Sequence, residues 1–163
     1  MYIKGKYWEN YIGDTDDSLT LVAYLAGKGK EEITVGEIFS DFEVDQLNGD
    51  FRAPEEVLAY ADAEGWEMDI QYAISLLTDL AAILLECKVS GNVNLCELFG
   101  SELETEKPVV RVTASPKEHE LIQKVLKDFV ENPLAYDLSE MCDEDEMVQM
   151  AGICEGLRRE LYD

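Results

Sequence analysis

Carboxylates are the residues of this chain best suited to chemistry, and their clearest spacing lies near the N-terminus. Asp14, Asp16 and Ser18 match the first three ligand positions of a calcium-binding loop. Such a loop also needs Gly at its sixth position and Glu at its twelfth. This chain has Leu19 and Leu25 at those two places. We therefore expect the acidic residues of this segment to cap a helix, and we predict no metal ion there.

Other catalytic patterns are incomplete. The acidic run 143–146 fails the same calcium-loop test, and His119 is the single histidine, so no His-Glu-x-x-His zinc pattern exists. The segment 27–30, Gly-Lys-Gly-Lys, lacks the spacing of a phosphate-binding loop. Among 36 acids some pair always falls at a distance suited to glycoside hydrolysis, so that test does not discriminate. The sequence predicts no catalytic residue and no cofactor.

The four cysteines do not form a recognisable motif. They are Cys87, Cys96, Cys142 and Cys154, and no two of them make a Cys-x-x-Cys pair. The N-terminus lacks the apolar core of a secretory signal. We therefore expect free thiols and a cytoplasmic location.

Net charge is the strongest property of the chain. There are 36 Asp and Glu against 13 Lys and Arg, for a net charge of −23 in 163 residues. Arg52 is the single basic residue between residues 31 and 87, and residues 128–157 contain none. Such a surface repels nucleic acid and anionic membranes and attracts basic proteins. We expect a basic protein partner, no direct contact with nucleic acid or membrane, and a melting temperature that rises with moderate salt.

Aromatic residues close to these acids are candidate anchors for a basic partner, because interfaces combine aromatic side chains with a polar rim. The alternative is that the same aromatic residues fill the core. On the first interpretation the predicted partner-binding residues are Trp8, Tyr11, Asp14, Asp16, Asp17, Asp50, Phe51, Glu64, Trp66, Glu67 and Asp69.

These residues need a scaffold, and the most apolar segment predicts its centre. Residues 72–87 carry Ile and Leu around most of a helical circumference, as in a helix buried in a domain. Asp79 is expected on a narrow polar strip of that helix. The whole chain, 1–163, is predicted to be one helix-rich α+β domain around this helix, with a small number of short strands.

Further helices are predicted from capping signals. Asp16 or Asp17 is expected to cap a short helix, and Thr34 a second one. Residues 115–118, Ser-Pro-Lys-Glu, form a capping box before an amphipathic helix. The final helix is predicted over about 143–161.

The strand signals are weaker. Residues 56–71 alternate between apolar and polar types and predict two strands joined at 63–65, although a helix remains open. Short strands are also expected near Val93 and Leu95 and over 109–112. The segment 2–11 is interpreted as either an edge strand or a docked arm.

Three segments of the chain carry a family resemblance. The stretch 7–18, together with residues 47–52 and 64–67, resembles small acidic immunity proteins of bacterial polymorphic-toxin systems. The resemblance implies a protein that binds a cognate toxin domain in the cytoplasm and blocks its active site. Many such toxins are basic nucleases, which suits the charge of this chain. No functional residue of that family is carried over to this sequence.

Two other function classes remain open at this point. An acidic adaptor, or a mimic of nucleic acid, would also bind a basic protein, and regularly spaced carboxylates would favour it. An enzyme that uses carboxylate acid–base chemistry would need a deep cleft holding an acid with a raised pKa. The toxin inhibitor is the leading hypothesis.

Overall fold

A computed structural model describes residues 1–100 and 103–163 and shows a helix-rich α+β fold. The α-helices of those residues are α1 (Asp16–Lys28), α2 (Val35–Asp41), α3 (Ala73–Ser90), α4 (Leu95–Phe99), α5 (Pro116–Glu131) and α6 (Glu144–Tyr162). The strands are β1 (Glu32–Thr34), β2 (Leu58–Ala61), β3 (Glu67–Ile70), β4 (Val93–Asn94) and β5 (Val109–Thr113). Short 3-10 helices cover Val44–Leu47, Pro133–Ala135 and Asp137–Glu140. The predicted fold class is confirmed.

Helix α3 is the centre of the fold. Its residues 73–86 are all buried, and α1, α5, α6 and β5 pack against it. The prediction of a buried helix over 72–87 is confirmed. The helix continues to Ser90 and ends at Gly91, whose φ of 87° is the left-handed conformation that glycine adopts readily. The polar strip expected around Asp79 is wrong, because the side chain of Asp79 lies in the core.

Two small sheets flank the helices. One has the strand order β1-β5-β4, with β1 parallel and β4 antiparallel to β5. The other is the antiparallel hairpin of β2 and β3, in which Leu58 lies opposite Ile70. Residues 56–71 therefore form the predicted strands and not a helix. The expected strand at Leu95 is wrong, because the Asn94 side chain accepts the backbone N–H groups of Cys96 and Glu97 and starts α4 there.

Helix starts follow the capping signals with one correction. Thr15 caps α1, where its hydroxyl accepts the N–H of Ser18 at 3.1 Å, and neither Asp16 nor Asp17 is the cap. Both acids lie inside the first turn, where their charge favours the positive end of the helix dipole. The caps predicted at Thr34 and at Ser115 are confirmed.

The N-terminal segment is a docked arm. Ile3, Tyr7 and Ile12 are buried, and the only β pairing of residues 2–12 is two isolated bridges. The carboxylate of Glu86, buried in α3, accepts the N–H of Ile3 at 3.0 Å and so fixes the arm to the central helix. Within residues 1–100 and 103–163, none of the helices is at once long enough and apolar enough to traverse a bilayer.

Candidate functional site

Two of the predicted aromatic anchors lie in the core. Trp8 is 1% exposed and Phe51 3% exposed. The indole N–H of Trp8 donates to the carbonyl of Leu98, and its ring lies so close to Gly13 that a Cβ there would come within 2.2 Å. The prediction that Trp8 and Phe51 contact a partner is therefore wrong. These side chains fill the interior, and acidic neighbours in the sequence do not distinguish the two roles.

Asp17 is also buried and has a structural role. Its two carboxylate oxygens accept the backbone N–H groups of Gln71 at 2.7 Å and Tyr72 at 3.0 Å. Burial raises the pKa of Asp17, and these two hydrogen bonds lower it again in part. The prediction that Asp17 binds a partner is wrong, because this carboxylate joins α1 to the start of α3.

Asp79, which is buried in α3, also forms hydrogen bonds to the start of α1. Its carboxyl group accepts the N–H of Gly13 at 3.1 Å and the hydroxyl of Ser18 at 2.7 Å. Complete burial raises the pKa of Asp79 to about 8, the two hydrogen bonds oppose that rise, and the charges of Asp17 and Asp14 add to it. Segment 13–18, which carries the exposed acids Asp14 and Asp16, is therefore fixed to the central helix by Asp79.

Exposed carboxylates surround this fixed segment. Helices α1, α3 and α6 all begin here, since Asp17 reaches the start of α3 and the loop before α6 lies beside both. We call five of the exposed acids around these three helix starts the acidic face: Asp14, Asp16, Glu140, Asp143 and Glu146.

Two neighbouring groups, the Cys142 thiol and Tyr72, lie within the field of these acids. Burial raises the pKa of the Cys142 thiol, and the charges of Glu146, Asp143 and Asp14 raise it further. Burial likewise raises the pKa of Tyr72, with further contributions from 3-10 helix residues 137 and 140. The loop before α1 and the loop before α6 therefore contribute to one electrostatic surface.

Apolar side chains stand within the acidic face. Met141 is 71% exposed and Val148 is 55% exposed, on either side of the α6 start. Leu19 lies one turn after Asp16 in α1 and is also exposed. The Tyr11 hydroxyl contacts the side chain of Gln149. Exposed apolar groups near acids that form no ion pair among the described residues fit the anchor-and-rim arrangement of protein interfaces.

The remaining predicted residues lie on neighbouring surfaces. Trp66 is 71% exposed at the end of the β2–β3 hairpin, and Glu64, Glu67 and Asp69 are exposed on the same hairpin. Asp50 is exposed and organises its own turn, where it accepts the N–H groups of Arg52 and Ala53. In the described part of the chain, no hydrogen bond or ion pair joins the hairpin tip to the acidic face.

Some carboxylates elsewhere on the molecule pair with cations. The paired acids are Glu9, Glu37, Asp41, Glu97, Asp128, Glu155, Glu160 and Asp163. Among the described residues, no member of the acidic face forms an ion pair. The same residues hold no cluster of three or more His, Cys, Asp or Glu arranged to bind a metal ion.

One protein-family model matches nearly the whole chain. The family model of immunity protein 68 (Imm68) matches residues 2–161 of the chain. The chain belongs to the Imm68 family. The resemblance to immunity proteins seen in the sequence is thereby confirmed. Neither a curated protein nor a solved structure matches this Imm68 chain.

Family membership sets the general function of this Imm68 protein. Immunity proteins neutralise toxins by binding them, and in general they are not enzymes. The sequence reasoning missed part of the surface suited to this role, namely Glu140, Met141, Asp143, Glu146 and Val148. Two signals pointed there: the unbroken acidic run 143–146, and the apolar Val148, which lies outside the buried stripe of α6.

Proposed function

We propose that this Imm68 protein neutralises its cognate toxin by seating the acidic face on a basic surface of the toxin domain. One observation carries the proposal. The carboxylates of the acidic face have no cation partner among the described residues, although the chain has 13 basic residues to offer. A cluster of like charges left without internal partners is available to cations of another molecule.

The rigidity of the scaffold supports the same role. Asp79 and Asp17 fix the segment that carries Asp14 and Asp16 to the central helix. Asp143 is held as the N-cap of α6, where it accepts the N–H of Glu146 at 2.8 Å. Side chains held in place before binding lose less conformational entropy on association.

The proposed mechanism has two steps. The field of the net charge of −23 first steers the basic toxin towards the acidic face and raises the association rate. Met141, Val148 and Tyr11 are then buried against the toxin, while the surrounding carboxylates pair with Lys and Arg. If the toxin is a nuclease, these would be the cations that otherwise hold phosphate, so the active site would be blocked.

The other predicted surface residues extend this interface. Trp66, Glu64, Glu67 and Asp69 on the hairpin, and Asp50 beside the 3-10 helix 137–140, stay predicted contacts. Replacement of Trp66 by Ala tests the hairpin on its own, because this exposed side chain contributes little to the core.

The test starts with the toxin domain. This partner is identified by affinity capture from native lysate and by an assay in which co-expression of the Imm68 protein protects cells from it. The variant Asp14→Lys/Glu140→Lys reverses two charges of the acidic face, and neither residue caps a helix. We expect its dissociation constant for the toxin to rise about 100-fold. The control Glu106→Lys/Glu120→Lys makes the same charge change at exposed positions elsewhere and should leave affinity within about threefold.

Association kinetics test the steering step separately. The wild-type association rate should fall steeply as salt increases from about 50 to 300 mM. A rate independent of salt would rule out steering, and equal affinities of the two charge-reversed proteins would place the interface elsewhere. Capture of a non-toxic nucleic-acid-binding protein at equal stoichiometry would instead favour the adaptor function.

A further inference from the structure

A second surface of opposite character lies at the other end of α3. It is a cleft of about 550 Å³ between the ends of α3 and α6, strand β5 and the start of α5. Apolar side chains form most of its wall: Leu84, Val112, Ala114, Leu161 and the ring of Tyr162. Its volume lies in the range of pockets that bind small molecules.

The charge of this cleft is the reverse of the charge of the molecule. The cations Lys88 and Arg111 line it beside the His119 ring, and among the described residues no carboxylate side chain does. Four other surface cavities of the described chain each include at least two acidic residues. A cation-lined cleft is therefore an exception in a protein with 36 acids and 13 basic residues.

Arg111 is the residue of the cleft best suited to bind an anion. The chain has four arginines, and the other three pair with carboxylates: Arg52 with Asp128, and Arg158 and Arg159 with Glu155. Arg111 forms no ion pair in the described structure, even though Glu32 lies opposite it in the β1–β5 register. Its guanidinium group also borders the neighbouring cavity lined by Glu31, Glu32 and Glu106, but it forms no ion pair there among the described residues and can bind an anion by charge-assisted hydrogen bonds.

The walls around Arg111 are held in place. Lys88 donates to the carbonyls of Glu160 and Leu161, both at 3.1 Å, and so fixes the end of α6. The Nδ1 atom of His119 and the Tyr162 hydroxyl are 3.0 Å apart, with their rings edge to face. The cleft is therefore formed before any ligand enters it.

We propose that this cleft binds a small organic anion with an apolar body. The anionic group lies at Arg111, within the field of Lys88, and the apolar body lies against Val112, Leu161 and the ring of Tyr162. The site is at the opposite end of α3 from the acidic face, so the proposal does not depend on the toxin interface.

The test uses anilinonaphthalene sulfonate, an aromatic anion whose fluorescence rises in apolar surroundings, with neutral phenylnaphthylamine as the matched probe. The rest of this acidic surface repels a sulfonate, so saturable binding at one equivalent reports the cleft. We expect the anionic probe to bind at least about tenfold more tightly than the neutral probe. Amide NMR shifts should change at Val112, Thr113 and Tyr162.

The variant Arg111→Gln should weaken binding of the anionic probe at least about tenfold, with unchanged far-ultraviolet circular dichroism. Lys124→Gln removes an exposed cation outside the cleft and should leave the affinity unchanged. Equal affinities of Arg111→Gln and wild type would overturn the proposal. Equal affinities of the two probes for wild type would overturn it too, because the cleft would then be only apolar.

Discussion

The two ends of helix α3 differ in the sign of the charged side chains that surround them. At its start, Asp17 accepts backbone N–H groups, and exposed acids gather that have no cation partner among the described residues. At its end, Lys88 and Arg111 line a cleft to which the described part of the chain contributes no carboxylate. Helix α6 has the same direction as α3, because its first turn lies at the acidic face and its last residues contact Lys88 at the cleft.

Helix dipoles explain why the acidic end is tolerated. The N-termini of α1, α3 and α6 meet there, and each carries a partial positive charge that favours nearby carboxylates. Conversely, the carbonyls at the end of α6 accept from Lys88. The acids and the cations thus lie at the helix ends whose partial charge favours each. Repulsion among the clustered acids therefore destabilises the fold less than the net charge alone implies.

The largest effect that tests this comparison is a pH dependence through Asp79. Burial raises the pKa of this group to about 8 in the folded protein, against about 4 when unfolded. Between those values the folded state binds more protons than the unfolded state, so stability falls as pH rises. We expect the free energy of unfolding to drop by on the order of 3 kcal/mol from pH 5 to pH 8, measured by urea denaturation.

Asp79→Asn is the matched variant for this pH effect. Its amide oxygen can still accept from Gly13, and its NH₂ group can donate to Ser18, whose own proton can turn to Thr15 at 3.0 Å. We expect a nearly flat profile from pH 5 to pH 8 and, at pH 8, a stability equal to or above wild type. A variant that keeps the wild-type slope would assign the pH dependence to other groups.

A smaller effect separates the buried acid of the α1 start from its exposed neighbour. Asp17→Ala leaves the N–H groups of Gln71 and Tyr72 without their acceptor and should cost about 2 kcal/mol of unfolding free energy. Asp16→Ala removes an exposed carboxylate one position earlier and should change stability by less than about 0.5 kcal/mol. Similar losses in both variants would mean that Asp17 acts only through its charge.

Local sequence signals predicted much of the scaffold. The apolar circumference of α3, the alternation in 56–71 and the capping box at Ser115 each depend on neighbours in the sequence, and each prediction is confirmed. Such patterns succeed because helices and hairpins satisfy most of their hydrogen bonds locally.

The candidate site was harder to predict because its determinants are distant in sequence. Asp17 bonds to Tyr72, 55 residues away, and Asp79 bonds to Ser18, 61 residues away. Nothing near either acid in the sequence indicates these partners, so the sequence predicts Asp17 at the surface and Asp79 on a polar strip. Trp8 and Phe51 show the same limit for aromatic residues, since core and interface favour the same side chains.

The smallest effect, the response to salt, tests the comparison at the surface. Exposed like charges repel one another through water, and salt screens them over about 10 Å at 0.1 M ionic strength. We expect the wild-type melting temperature to rise by about 2 to 5 °C from 0.05 to 0.5 M NaCl, because the chain carries a net charge of −23.

The neutralised pair Asp14→Asn/Glu140→Gln locates that repulsion. At 0.05 M NaCl this variant should melt about 1 to 2 °C above wild type, and the difference should vanish at 0.5 M. The control pair Glu106→Gln/Glu120→Gln removes the same charge outside the acidic face and should gain less. If both pairs gain equally, repulsion is spread over the whole surface. The partial positive charges of the helix N-termini would then fully offset the extra repulsion among the acids of the acidic face. The two ends of α3 would differ in what they bind but not in their effect on the stability of the fold.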